Sequence, residues 1–155
     1  MIPRALGMIT GTLMLLGGML LGGVFAATEA VAQQPSGPEA VKAADNAFYA
    51  AFKRTEIKRS ELTGTNMEVV LSVLEVPPGT VLPRHSHPGE EAFYVLEGAM
   101  SEMPGQPPQA RVQGTGGINA RGVPHAGYKI VGDKPLKLLT VHIVDKGKPV
   151  STVVP

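Results

Sequence analysis

The chain has 155 residues, enough for one ordinary domain, and its 14 Lys and Arg against 13 Asp and Glu give a net charge of +1. This balance, without any basic run, gives no reason to expect a nucleic-acid partner. The sequence contains no cysteine, which excludes disulfides, thiolate metal ligands and cysteine nucleophiles. Its 19 Gly and 14 Pro favour many short strands joined by turns over long helices.

The first 32 residues have the pattern of a secretory signal peptide. Residues 5–27 carry no charged side chain, and Ala30-Val31-Ala32 fits the small-x-small rule for signal peptidase. We predict cleavage between Ala32 and Gln33, a secreted or periplasmic mature chain, and no stable membrane association after cleavage. The alternative is an uncleaved membrane anchor, because 23 uncharged residues could span a bilayer, although six glycines weaken such a helix.

The mature chain divides into a short helical part and a β domain. Residues 33–54 are predicted to form a linker and a short amphipathic helix, which the apolar spacing places at 39–52. Residues 55–150 are predicted to form one all-β domain, an antiparallel sandwich or barrel with turns every eight to twelve residues. The predicted strands cover 57–62, 68–76, 92–97, 99–103, 110–113, 118–121, 126–131 and 136–144, and 81–87 is predicted to be extended.

A cluster of metal-binding residue types lies at 79–98, in the run GTVLPRHSHPGEEAFYVLEG. His85 and His87 are two apart, so in an extended chain their imidazoles point to the same face. If the next strand returns as a hairpin, Glu91 lies beside them, and the three side chains form a facial set of metal ligands. The later run GVPHAGY supplies His125 as a fourth candidate.

Both histidine-containing segments are parts of longer spaced blocks. Residues 79–98 read G-x5-H-x-H-x3-E-x6-G, which matches the first motif of the cupin superfamily at every signature position. Residues 114–129 resemble the second cupin motif, G-x5-P-x-G-x2-H-x3-N. Ala120 stands where that motif has proline and Lys129 where it has asparagine, and neither position binds metal in the family. The resemblance extends over about residues 55–150.

The resemblance implies an all-β cupin jelly roll, the double-stranded β-helix, with a metal inside the barrel. The implied ligands of one divalent transition metal are His85, His87, Glu91 and His125. This sulfur-free donor set suits Fe, Mn, Ni, Co or Zn, and the sequence does not choose among them. A histidine pair in a Pro/Gly loop can also be ordinary polar surface, but three of the four histidines in motif register favour metal binding.

For function, the resemblance implies a metal-dependent enzyme that acts on a small molecule, with oxygenase-like chemistry favoured for this ligand set. A dioxygenase, a decarboxylase and an isomerase all remain open, and no catalytic residue is assigned because no dedicated base stands out. The alternatives are a non-catalytic cupin that binds or senses a small ligand, and a metal that only closes the barrel. The resemblance to small cupins also implies a homodimer, formed through a sheet edge or by exchange of residues 39–52 or 145–155.

Several other polar residues are candidates for the cavity. His142 shares a predicted strand face with Thr140 and could line the barrel mouth beside metal or substrate, with a purely structural histidine as the alternative. Glu90 should point away from Glu91. Further residues that could reach the cavity, with ordinary sheet or rim positions as the alternative, are Tyr94, Tyr128, Arg84, Arg111 and Arg121.

Overall fold

The computed structural model of the protein describes residues 37–155. The predicted signal peptide and its cleavage site lie outside this range, and no helix within the range is long and apolar enough to cross a bilayer. The elements are α1 (Pro38–Phe48), a 3-10 turn (Tyr49–Ala51), β1 (Lys53–Leu62), β2 (Met67–Val76), β3 (Val81–Leu82), β4 (His85–Ser86), β5 (Gly89–Glu97), β6 (Ala99–Glu102), β7 (Gln109–Arg111), β8 (Gly116–Asn119), β9 (Tyr128–Val131), β10 (Leu136–Asp145) and β11 (Thr152–Val153).

The predicted all-β jelly roll is confirmed, with antiparallel pairing throughout the described strands. One sheet has the order β1-β2-β10-β5-β8, a second has the order β3-β9-β6-β7, and β4 pairs with β11. The apolar core lies between the two larger sheets: Leu74 and Leu138 come from the first, and Leu82 and Ile130 from the second. Helix α1 adds Phe48 to this core.

Strict alternation in the two long central strands determines which side chains enter the barrel. In β10 every second residue from Leu136 to Val144 is buried, and β2 shows the same period from Val70 to Val76. The pairing of β10 with β5 places His142 directly opposite Glu91. Both side chains therefore point into the barrel from neighbouring strands.

The hairpin considered for the histidine segment and the Glu91 strand does not form. Strand β4, which begins with His85, pairs with β11 rather than with β5. Strand β5 begins at Gly89 so close to β10 that a Cβ there would lie 1.9 Å from the carbonyl oxygen of Ile143. The chain therefore passes from the two-stranded sheet to the five-stranded sheet between Ser86 and Gly89, and Glu91 lies on a different sheet from His85.

The predicted helix is present, but it ends earlier than expected and finishes as a 3-10 turn. It begins at Pro38, whose fixed φ and missing N–H suit the first helical position. Asp45 ties it to the end of the chain by accepting the N–H of Val150 at 2.9 Å. Strand β1 is an edge strand with mostly exposed residues. The homodimer stays a prediction.

Candidate metal centre

The four histidines and Glu91 gather inside one end of the barrel. His85 lies in β4, His87 directly after it, Glu91 in β5, His142 in β10 and His125 in the loop before β9. The exposed fractions of His85, His87, Glu91 and His142 are 5%, 2%, 7% and 2%, whereas His125 is half-buried. The four residues predicted to bind metal are therefore brought together, and His142 joins them.

The distances between the donor atoms suit a single metal ion. The Nε2 atoms of His87 and His125 are 3.1 Å apart, and Glu91 Oε2 lies 3.3 Å from each of them. The ring of His85 lies 4.4 Å from that of His125, centre to centre. Two ligand atoms each about 2.1 Å from one ion are separated by about 3.0 to 3.4 Å when the angle between them is near 90–109°. The three donor-to-donor distances among His87, His125 and Glu91 fall within that range, and the ring of His85 lies beside them.

The backbone fixes the tautomer of three of these histidines. Each Nδ1 lies within hydrogen-bond distance of a carbonyl oxygen, which can only accept a proton. Each Nδ1 must therefore carry the hydrogen, which leaves the Nε2 lone pair free for a metal. The pairs are His85 with Pro83 at 2.7 Å, His87 with Val150 at 2.7 Å and His125 with Val123 at 3.0 Å.

The backbone also joins the two histidine segments to each other. The N–H of His85 donates to the carbonyl of His125 at 3.0 Å, and the N–H of His125 donates to the carbonyl of His85 at 2.9 Å. The N–H of Gly122 donates to the carbonyl of His87 at 3.0 Å. Although Ala120 departs from the motif, the loop is therefore fastened to the first histidine segment on both sides of His125.

Glu91 accepts a hydrogen bond at one carboxylate oxygen and lies near a buried imidazole at the other. Its Oε2 accepts a 2.7 Å hydrogen bond from Asn119 Nδ2, and its Oε1 lies 3.4 Å from His142 Nε2. Burial alone would raise the pKa of Glu91, but interactions with His125, His142 and His87 outweigh burial and hold the pKa well below its usual range. The carboxylate is therefore ionised, as a metal ligand must be.

The imidazoles differ in the direction in which the site shifts their pKa values. Burial lowers the pKa of His85 to about 4 and also lowers that of His142. For His125, burial acts in the same direction, but the neighbouring Glu91 carboxylate outweighs it and raises the pKa. His142 Nδ1 is buried and has no hydrogen-bond partner within residues 37–155.

The cluster opens into a cavity of about 440 Å³ between the two larger sheets. Its apolar walls include Leu74, Leu82, Phe93, Val95 and Leu138, and helix α1 with its 3-10 turn closes one side through Phe48 and Tyr49. Of the five polar candidates from the sequence, Tyr128, Arg84 and Arg111 line the cavity, whereas Tyr94 and Arg121 are not among its lining residues. Glu90 is exposed and points away from Glu91, as predicted.

Sequence reasoning missed two contributors to the site. Asn119, which binds Glu91, lies opposite it in the pairing of β5 with β8, so only the strand register reveals the contact. Tyr49 hydrogen-bonds the hydroxyl of Ser151 at 3.0 Å, and that hydroxyl lies 3.4 Å from His87 Nδ1. In the sequence, Tyr49 is an aromatic residue within a short apolar helix, a pattern that any core residue would also show.

Comparison with known proteins agrees with this architecture. The family model described as Cupin domain matches residues 72–142. The DMSP lyase DddQ from Ruegeria pomeroyi DSS-3 is 23% identical over 70% of this chain and 54% of its own, with a TM-score of 0.50. This chain thus spans about half the length of that lyase, and the likeness concerns the fold alone.

Two further solved structures show lower TM-scores. An uncharacterized protein with a double-stranded β-helix domain from Klebsiella pneumoniae is 18% identical over 74% of this chain and 94% of its own, with a TM-score of 0.49. The polyketide cyclase RemF from Streptomyces resistomycificus is 26% identical over 68% of this chain and 72% of its own, also at 0.49. No curated protein matches the sequence.

Fold and site together define a β-jelly roll with histidines and a carboxylate gathered inside the barrel. The matched domain contains His85, His87, Glu91, His125 and His142. Residues 72–142, the part of the chain that the family model matches, are a cupin domain.

Proposed function

We propose that this protein is a metal-dependent cupin that binds one divalent transition ion through His85, His87, Glu91 and His125 and acts on a small molecule in the adjoining cavity. The observation that carries the proposal is the convergence of free Nε2 lone pairs and an ionised carboxylate at 3.1–3.3 Å, next to space for a ligand. Among the possible reactions, oxygenase-like chemistry is the one we favour.

A bound ion of this kind would supply Lewis-acid or redox chemistry to a small molecule in the cavity. The role of the chain's own residues is to hold and orient the donor side chains. Backbone carbonyls fix three of the imidazoles, and Asn119 Nδ2 donates a hydrogen bond to Oε2 of Glu91. No residue is assigned as a general base.

We also propose that the mature chain, starting at Gln33, works in the periplasm or outside the cell. The support is the uncharged run at 5–27 followed by the Ala30-Val31-Ala32 site. Mass spectrometry of the protein recovered from outside the cytoplasm should give the mass of residues 33–155. Recovery of the full-length chain from the membrane fraction would favour the uncleaved anchor.

Metal content of purified residues 33–155 tests the main proposal. After expression with several transition metals, plasma mass spectrometry should find about one ion per chain, and both His85→Ala and His125→Ala should lose it. Lys129→Ala is the matched control, since Lys129 lies in the second motif but is exposed on β9. A well-folded wild type that stays free of metal when each ion is added back would contradict the proposal.

A non-catalytic ligand-binding cupin is the second candidate, supported by the same cavity and by the lack of a dedicated base. The two functions differ in turnover. An enzyme should convert substrate at a rate that depends on bound metal, and oxygen uptake would identify the oxygenase case. A binding protein should instead show saturable affinity without product.

A further inference from the structure

Three arginines line the cavity, and two of them have a carboxylate or carbonyl oxygen as a partner for a terminal nitrogen. Arg54 Nη2 pairs with Glu56 Oε2 at 3.3 Å, and Arg84 Nη1 donates to the carbonyl oxygen of Pro155. Arg111 differs, because within residues 37–155 no carboxylate lies within ion-pair distance of it. It is the one cavity arginine whose charge is not matched by an acidic side chain or a carbonyl of the described chain.

Arg111 is nevertheless held in place. Its Nε donates to Ser101 Oγ at 2.9 Å, and its guanidinium lies 4.3 Å from the centre of the Tyr128 ring. Ser101 is buried on β6, and Tyr128 is buried on β9. The guanidinium is therefore fixed from two neighbouring strands, while its two terminal nitrogens have no hydrogen-bond partner in the described part of the chain.

The Tyr128 hydroxyl adds a second unused donor at this position. Burial raises the pKa of Tyr128, and the nearby Arg111 charge only partly opposes that change. The side chain is thus a neutral phenol that can donate a hydrogen bond. No residue among 37–155 accepts from it.

We propose that Arg111, with Tyr128 beside it, binds the carboxylate of a small organic acid whose apolar body lies along the cavity. A guanidinium with two free terminal nitrogens can bind a carboxylate through two parallel hydrogen bonds. The apolar walls include Leu82 and Phe93, and the proposed metal ligands lie along the same cavity. This proposal rests on the proposed function, because it names the class of small molecule that the metal site would meet.

The test compares acids with uncharged analogues in metal-free and metal-loaded protein. Calorimetric titration with benzoate and hexanoate, beside benzamide and hexanamide, is made on wild type, Arg111→Met, Arg111→Lys and Tyr128→Phe. Arg121→Met is the matched control, since Arg121 pairs on the surface with Asp145 at 3.0 Å and is not a cavity residue. Metal content and melting temperature are measured for every variant.

In metal-free protein we expect the acids to bind at least about tenfold more tightly than the amides. Arg111→Met should abolish that preference, Arg111→Lys should keep part of it, and Arg121→Met should keep all of it. Equal binding of acids and amides by wild type, or an unchanged preference in a folded Arg111→Met, would overturn the inference. Failure of metal binding alone would instead overturn the proposed function, because the acid preference is measured without metal.

Discussion

The two functional regions of the cavity are oriented in different ways. At the histidine end, three imidazoles are each set by a backbone carbonyl, and two of them are joined again through backbone N–H groups. In the other region, the guanidinium of Arg111 is oriented only by the Ser101 hydroxyl and the Tyr128 ring. Metal donors oriented by the main chain persist as long as the fold does, whereas the guanidinium depends on two side chains that single substitutions can remove.

The largest expected effect comes from removing a donor at the histidine end. Glu91→Ala should lower metal affinity by at least about 100-fold, because it removes a ligand and leaves the imidazoles without their neighbouring negative charge. Glu90→Ala is the control, since this adjacent carboxylate points outward and is exposed. Competition with a chromophoric chelator measures both affinities. Similar losses in the two variants would mean that Glu91 does not bind the ion.

The buried imidazole of His85 predicts how metal-free protein responds to acid. Its pKa is about 4 in the folded protein against an ordinary value of 6.5. Between these values the unfolded chain takes up a proton that folded His85 does not accept. The contribution of His85 to the free energy of unfolding should therefore be greatest above pH 6.5 and fall by about 3 kcal/mol as the pH drops to 4.

Urea unfolding at several pH values measures this effect. His85→Gln should show a shallower decline over the same window, because it removes the titrating group but keeps a polar side chain. An equally steep decline in His85→Gln would assign the acid sensitivity to other groups.

Because backbone carbonyls orient the imidazoles, a residue that contacts no metal donor should still affect metal affinity. Asp45→Ala should lower metal affinity by about tenfold, because Asp45 holds the N–H of Val150, whose carbonyl orients His87. Glu39→Ala, an exposed acidic residue in the first turn of the same helix, should bind metal like wild type. Affinities are measured by the same chelator competition. If Asp45→Ala binds metal normally, the tie between helix α1 and His87 is only structural.

The smallest expected effect lies at the Arg111 end. Ser101→Ala removes the hydroxyl that accepts from Arg111 Nε and should weaken benzoate binding by about threefold, with metal content unchanged. Calorimetry gives the first quantity and plasma mass spectrometry the second. A parallel loss of metal would show that the two regions are not independent.

The spacing of residues along the sequence predicted the central strands and the side chains that lie together in the candidate site. The alternation in 68–76 and 136–144 revealed two central strands, and the two motifs identified four side chains that the structure gathers in one place. Burial of these residues follows from the strand period of two, which is readable in the sequence.

Features that depend on strand register could not be predicted in this way. The hairpin considered around Pro88 is absent because β4 pairs with β11, a strand more than 60 residues away along the chain. The contacts of Glu91 with Asn119 and His142 likewise follow from the pairing of β5 with β8 and β10. The pattern of a single sequence indicates which face of a strand is buried, but it does not indicate which other strand pairs with it.

The reciprocal backbone hydrogen bonds between His85 and His125 have a consequence for local unfolding. Each amide proton is held by the carbonyl of the other residue, so neither can be released unless the two segments separate. In native-state hydrogen exchange, both amides should therefore exchange through the same opening event and with the same opening free energy. A bound ion would slow the exchange of both amide protons together. Their exchange rates would therefore report the fraction of protein that has an ion bound, without a measurement of the metal itself.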